Sequence, residues 1–166
     1  MTNSLINPLK KYWPLISLII ISFFAAIAIN WNVRGDMTAL MHYFMGFFLV
    51  VFSTLKIFRP IEFANAFVMY DLIAMRYRLY AYLYPVIELL LGLAYLSFFV
   101  PRLTYCLTII VLSLGALGVL KALHRGIDMN CPCMGTVLNV PLSTVTLTED
   151  VAMIFMALML LIGSWL

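Results

Sequence analysis

The sequence predicts an all-α polytopic membrane protein: a bundle of four apolar helices preceded by one further transmembrane helix. Three observations carry this expectation. Of the 166 residues, 65% are hydrophobic and only 10% charged, with a mean hydropathy of +1.08, whereas soluble domains are about half apolar and about a quarter charged. The apolar residues fall into five runs, each close to the ~20 residues that cross a hydrocarbon core as a helix. Polar connections separate the runs, and their lysines and arginines are concentrated on one side. The length suits one bundle rather than two domains. The net charge of +3 is small and dispersed, which argues against nucleic acid and leaves the lipid bilayer as the first partner. The chain has no Gly-rich phosphate loop, no His-Glu-x-x-His pattern and no Ser/His/Asp set.

Residues 1–12 are polar and end in Lys10 and Lys11. Trp13 and Pro14 open an apolar run to Trp31 that has the form of a signal anchor. Ala26-Ile27-Ala28 has the small-x-small spacing of a cleavage site, but the run is read as retained, the first membrane helix. With its linker it makes a unit at 1–39, ahead of a core at 40–166. The core opens with a helix over 40–58, with Lys56 near its end. Residues 59–81 break the pattern: Ala64, Phe67, Val68, Leu72 and Met75 recur at helical spacing, with Glu62, Asn65 and Arg76 elsewhere on the wheel. That spacing predicts an amphipathic helix lying in the membrane interface. A helix over 82–100 contains Pro85 and Glu88, and Pro101-Arg102 reads as a tight turn. The next helix, over 103–120, carries Gly115 and Gly118, small residues that let helices approach closely. Thr146-Leu147-Thr148-Glu149 has the form of a capping box, so the last helix is expected to begin there and run to residue 166.

Charge placement gives an orientation. With the N-terminal side called inside, the inner segments hold Lys10, Lys11, Lys56, Arg59, Arg76, Arg78, Lys121 and Arg125. The outer segments hold only Arg34 and Arg102. By the positive-inside rule the N-terminus faces the cytoplasm, across an inner (cytoplasmic) membrane. The same rule places the connection after the fourth helix on the cytoplasmic side.

That connection carries the chemistry. It reads Asp128-Met129-Asn130-Cys131-Pro132-Cys133-Met134-Gly135-Thr136 and holds two of the three cysteines. Cysteines two apart close a disulfide only in a small ring, which departs from relaxed geometry and is easier to reduce. Pro132 limits how far the backbone can relax. Lys121, His124 and Arg125 nearby would favour the thiolate. A readily exchanging disulfide is what a thiol–disulfide oxidoreductase needs. The same donors suit a thiophilic metal such as Cu(I) or mercury, with Met129 and Met134 adding thioether sulfur and His124 an imidazole. A third reading is a structural or assembly subunit whose thiols do no chemistry. Eleven methionines are spread along the chain, so most of them are packing residues. Cys106, alone in an apolar helix, reads as inert packing, and His42 as a hydrogen-bonded helix residue rather than a ligand. Lys56 and Glu88 fall at similar depth on adjacent antiparallel helices and are expected to pair, because an ionisable group inside a membrane is costly alone.

Three stretches together resemble one family. They are Phe52-Ser53-Thr54-Leu55-Lys56 with Phe63-Ala64, then Tyr84-Pro85-Val86-Ile87-Glu88-Leu89-Leu90-Leu91-Gly92, then Cys131-Pro132-Cys133-Met134-Gly135 with Pro141-Leu142-Ser143. The chain is similar to the MauE/DoxX-type redox-associated membrane proteins, named for a methylamine utilisation protein. The residues after Gly135 also resemble a subgroup in which this module follows a heavy-metal-associated domain. The resemblance covers roughly residues 40 to 166 and implies a four-helix membrane core. It also implies thiol–disulfide chemistry at Cys131 and Cys133, in the service of maturing a disulfide-rich partner. A cytoplasmic thiol pair implies a thioredoxin-like protein or a metal carrier on that side. Passing electrons outward would call for a bound quinone or a second protein.

Overall fold

The computed structural model describes residues 3–69, 71–124 and 142–164, with side chains described for Trp13, from Ile16 on in the first helix and from Leu147 on in the last. All of its regular structure is helical: α1 (Asn3–Val33), α2 (Met37–Phe58), α3 (Pro60–Phe67), α4 (Arg78–Leu96), α5 (Pro101–His124) and α6 (Leu142–Gly163). By length and composition α1, α2, α4 and α5 can each cross a membrane. The long α6 packs along α5, while α4 packs along α2. Contacts of α4 with α5 and of α2 with α6 close these two pairs into a four-helix bundle, and α1 lies against α2 on its outside. The chain is a multi-pass membrane protein. Its outward faces fit that setting, since Leu90, Ile110 and Phe155 are all exposed.

Local chemistry sets most helix ends. Asp36 caps α2 by accepting from the Ala39 N–H at 2.9 Å. Lys56 stands in the last turn of α2, where a cation meets the negative end of the helix dipole. Arg59 leaves helical geometry, and Pro60 starts α3 at a position where its missing N–H costs nothing.

Several boundaries differ from the sequence expectation. The helix expected over 59–81 is realised only as α3, Pro60–Phe67. Asp71 ends the pattern: its Oδ1 accepts from the Ile73 and Ala74 N–H groups at 2.9 and 2.8 Å, giving the backbone an alternative to the helix. Leu72 and Met75 are accordingly exposed, while Asp71 and Ala74 are buried. Next, α4 starts at Arg78 rather than residue 82 and stops at Leu96. The turn that follows uses left-handed backbone at Phe98 and Val100, and Pro101-Arg102 open α5 instead of making the turn. Finally, α6 starts at Leu142, directly after Pro141, so Thr146 to Glu149 lie inside the helix and do not cap it.

Two glycines decide how α2 meets α4. A Cβ on Gly92 would lie 2.9 Å from the Val50 backbone nitrogen and 3.1 Å from the Gly46 carbonyl oxygen. The two backbones touch there, which only small residues allow. Gly115 has a different use, described below.

Candidate functional site

Lys56 and Glu88 pair as expected. Lys56 Nζ donates to Glu88 Oε1 at 2.7 Å and to Oε2 at 2.5 Å, and the two side chains are 12% and 5% exposed. Since α2 and α4 run antiparallel, the last turn of one reaches the first half of the other. Glu88 lies ten residues into α4, about 15 Å at 1.5 Å per residue, deeper than a start at residue 82 would give.

Aromatic rings cover the pair. Lys56 Nζ stands 5.5 Å from the Phe63 ring centre and 5.2 Å from that of Tyr84, within cation–π range. Phe63 stacks on Phe67 at 5.0 Å, and Phe67 packs on Tyr84 at 4.5 Å. Thus α3, although short, is the lid of the site: its buried face of Phe63, Ala64 and Phe67 packs with Ala81 and Tyr84 of α4 and Val119 and Ala122 of α5.

Sequence reasoning missed Asp150. This carboxyl, on α6, lies in the electrostatic field of Lys56, Glu88 and Glu149. Gly115 of α5 makes the room: a Cβ there would stand 3.4 Å from the Tyr84 hydroxyl and 3.7 Å from Asp150 Oδ2. The capping-box reading placed Asp150 in a first helical turn, where an acid is unremarkable. Starting α6 at Leu142 carries it two turns into the bundle. The available signal was an acid adjoining an apolar run to the end of the chain.

Of the other expected site residues, His124 is exposed in the last turn of α5. Arg125, Met129, Cys131, Pro132, Cys133, Met134 and Gly135 lie outside the described residues. The last turn of α5 and the first turns of α6, between which these residues fall in the chain, lie at the end of the bundle where α2 finishes and α4 begins. Among the described residues no group of three His, Cys, Asp or Glu side chains could hold a metal ion. Cys106 is a free thiol, exposed rather than packed. It lies one residue on from Tyr105, and that step of about 100° turns it away from the buried face of Thr104, Tyr105 and Thr108.

A second polar cluster sits near the opposite end. His42 is buried, stacks on Phe98 with ring centres 4.4 Å apart, and bonds through both nitrogens. Nδ1 lies 3.3 Å from the Tyr95 carbonyl, which can only accept, so Nδ1 carries the proton. Nε2 is then the acceptor for the Tyr105 hydroxyl. His42 thereby ties α2 to α4 and α5 as a hydrogen-bonded helix residue.

Outside the spans, Asp71 is fully buried. Burial raises its carboxyl above the ordinary range, with the Ala74 and Ile73 N–H groups opposing.

Fold and site define a helical, multi-pass membrane protein with a buried charge cluster at one end of its bundle. Residues 34–165 match the family described as methylamine utilisation protein MauE, and the chain belongs to that family. The match begins one residue past α1 and takes in every other helix. No curated protein and no solved structure matches the chain.

Proposed function

We propose that this chain is an integral-membrane thiol–disulfide redox protein whose Cys131 and Cys133 exchange disulfides with a partner and so support its maturation. The observation that carries the reading is the buried Lys56–Glu88 pair with Asp150 beside it. These ionisable groups lie at the bundle end from which the Cys-Pro-Cys segment departs, and ionisable groups inside a membrane mark function more often than stability. In the exchange, the thiolate of one cysteine attacks the partner's disulfide and forms a mixed disulfide. The second cysteine, as thiolate, then attacks that bond and releases the partner. Two thiols of this chain lose two electrons and two protons, and the partner's two sulfurs gain them. The charge bias favours the cytoplasmic side of the inner membrane for this chemistry, where a thioredoxin-like donor would return two electrons to the Cys131–Cys133 disulfide. The family's description supports a place in methylamine utilisation.

The test combines thiol trapping with metal analysis of purified protein. Cys131→Ser and Cys133→Ser each abolish exchange, and the pair titrates with a defined midpoint potential. An impermeant thiol reagent labels the cysteines only after the inner membrane is opened. If both thiols stay reduced in every physiological buffer while one Cu(I) or mercuric ion binds tightly, the four soft donors Met129, Cys131, Cys133 and Met134 handle metal instead.

A further inference from the structure

We propose that Lys56, Glu88 and Asp150 form a proton-binding site, in which Asp150 holds one proton beside the Lys56–Glu88 pair. Lys56 from α2 meets Glu88 from α4 directly, and Asp150 from α6 shares their field. One ammonium balances one carboxylate. A second carboxylate leaves a negative charge where lipid flanks the bundle, and like-charged carboxyls that share a site do not both ionise readily.

Among the described residues, the other groups at this level do not supply a further positive charge. Tyr84 of α4 brings a hydroxyl, and Glu149 of α6 a further acid. Gly115 of α5 brings no side chain, and Lys121 and His124 are exposed at that helix's end. On the α3 side, Arg59 and Glu62 pair with each other at the surface.

The site exchanges protons with one side only. One turn outward from Lys56, Glu88 and Asp150 stand Phe52, Leu91 and Met153, which with Leu112 belong to one apolar core cluster. This layer separates the site from His42 and Tyr105 near the far end. The exchange side is therefore the one where the Cys-Pro-Cys segment leaves α5. In use, the site rests on the thiol-exchange reading: it gives its proton to the partner's leaving sulfur and is refilled by one of the two protons released when the thiols become a disulfide. In existence it does not rest on that reading.

Infrared spectroscopy of the protein in lipid vesicles tests the proposal. At neutral pH the wild type shows the carbonyl band of a protonated carboxylic acid, shifted in heavy water. Asp150→Asn or Glu88→Gln removes the band, because the remaining carboxylate pairs with Lys56. Lys56→Met and Cys131→Ser keep it, and Asp150→Asn, being isosteric, keeps the wild-type melting temperature to within a few degrees. No band in the wild type, a band that survives Asp150→Asn, or replacement of the proton by sodium or potassium ions overturns the site. A band present in a protein whose cysteine variants remain active leaves the site standing and removes the thiol reading alone.

Discussion

Replacing Lys56 by Met removes the ammonium that two carboxyls face, and the structure sets the size of the effect. Lys56 and Glu88 are 12% and 5% exposed, and losing one partner of such a buried pair costs about 3–5 kcal/mol. The cation–π contacts with Phe63 and Tyr84 go with it, at about 0.5–1 kcal/mol each, so the upper end of that range applies. Glu88→Gln is milder. The ammonium keeps Asp150 nearby, and the loss is that of a hydrogen bond to a charged group, about 1.5–3 kcal/mol. Lys56→Met with Glu88→Gln costs less than the sum of the two, by at least about 1.5 kcal/mol, because neither charge is then stranded. At roughly 2–4 °C per kcal/mol for a chain of this size, Lys56→Met lowers Tm by roughly 10–20 °C. The assay is thermal unfolding in detergent followed by circular dichroism, across all four forms. Strictly additive losses, or a larger drop for Glu88→Gln than for Lys56→Met, would refute the reasoning.

Three further outcomes are expected. Gly92→Ala lowers stability by about 1–3 kcal/mol, more than Gly46→Ala, because its Cβ meets the Val50 backbone at 2.9 Å whereas the closest atoms to a Gly46 Cβ belong to the Leu96 side chain; equal melting temperatures would count against the close contact of α2 with α4. Tyr105→Phe leaves the buried His42 Nε2 without its donor and costs about 1–3 kcal/mol, while the Cys131/Cys133 midpoint potential stays unchanged. Burial raises the Asp71 carboxyl above its ordinary value of 3.8, so the folded chain holds that proton more tightly than the unfolded one. The associated stability is therefore present at acid pH and lost as pH rises through the raised value; Asp71→Asn matches wild type in acid and exceeds it at neutral pH, which melting curves across pH would reveal.

Much of this protein was legible in the sequence for a simple reason: crossing a membrane is a local property of a segment. Length and hydropathy alone identify the apolar helices, since no distant residue can satisfy the backbone of a chain inside lipid. The Lys56–Glu88 pair was legible on the same ground. A charge in an apolar run needs a partner, and antiparallel succession left one at similar depth. Helix faces and ends were not local. Asp71 stopped the expected helix over 59–81 through bonds to Ile73 and Ala74, and a 3.6-residue apolar period gives no sign of a carboxylate folding back on its own backbone. Starting α6 at Leu142 turned Asp150 from a capping-region acid into a third member of the charge cluster. Which side chains share a space depends on which helix faces meet. Only the packed bundle brings Tyr84 and Asp150 together at Gly115, lays Phe63 over Lys56, presses Gly46 against Gly92 and turns Cys106 outward, because these contacts join residues far apart in the chain whose separate patterns carry no record of one another.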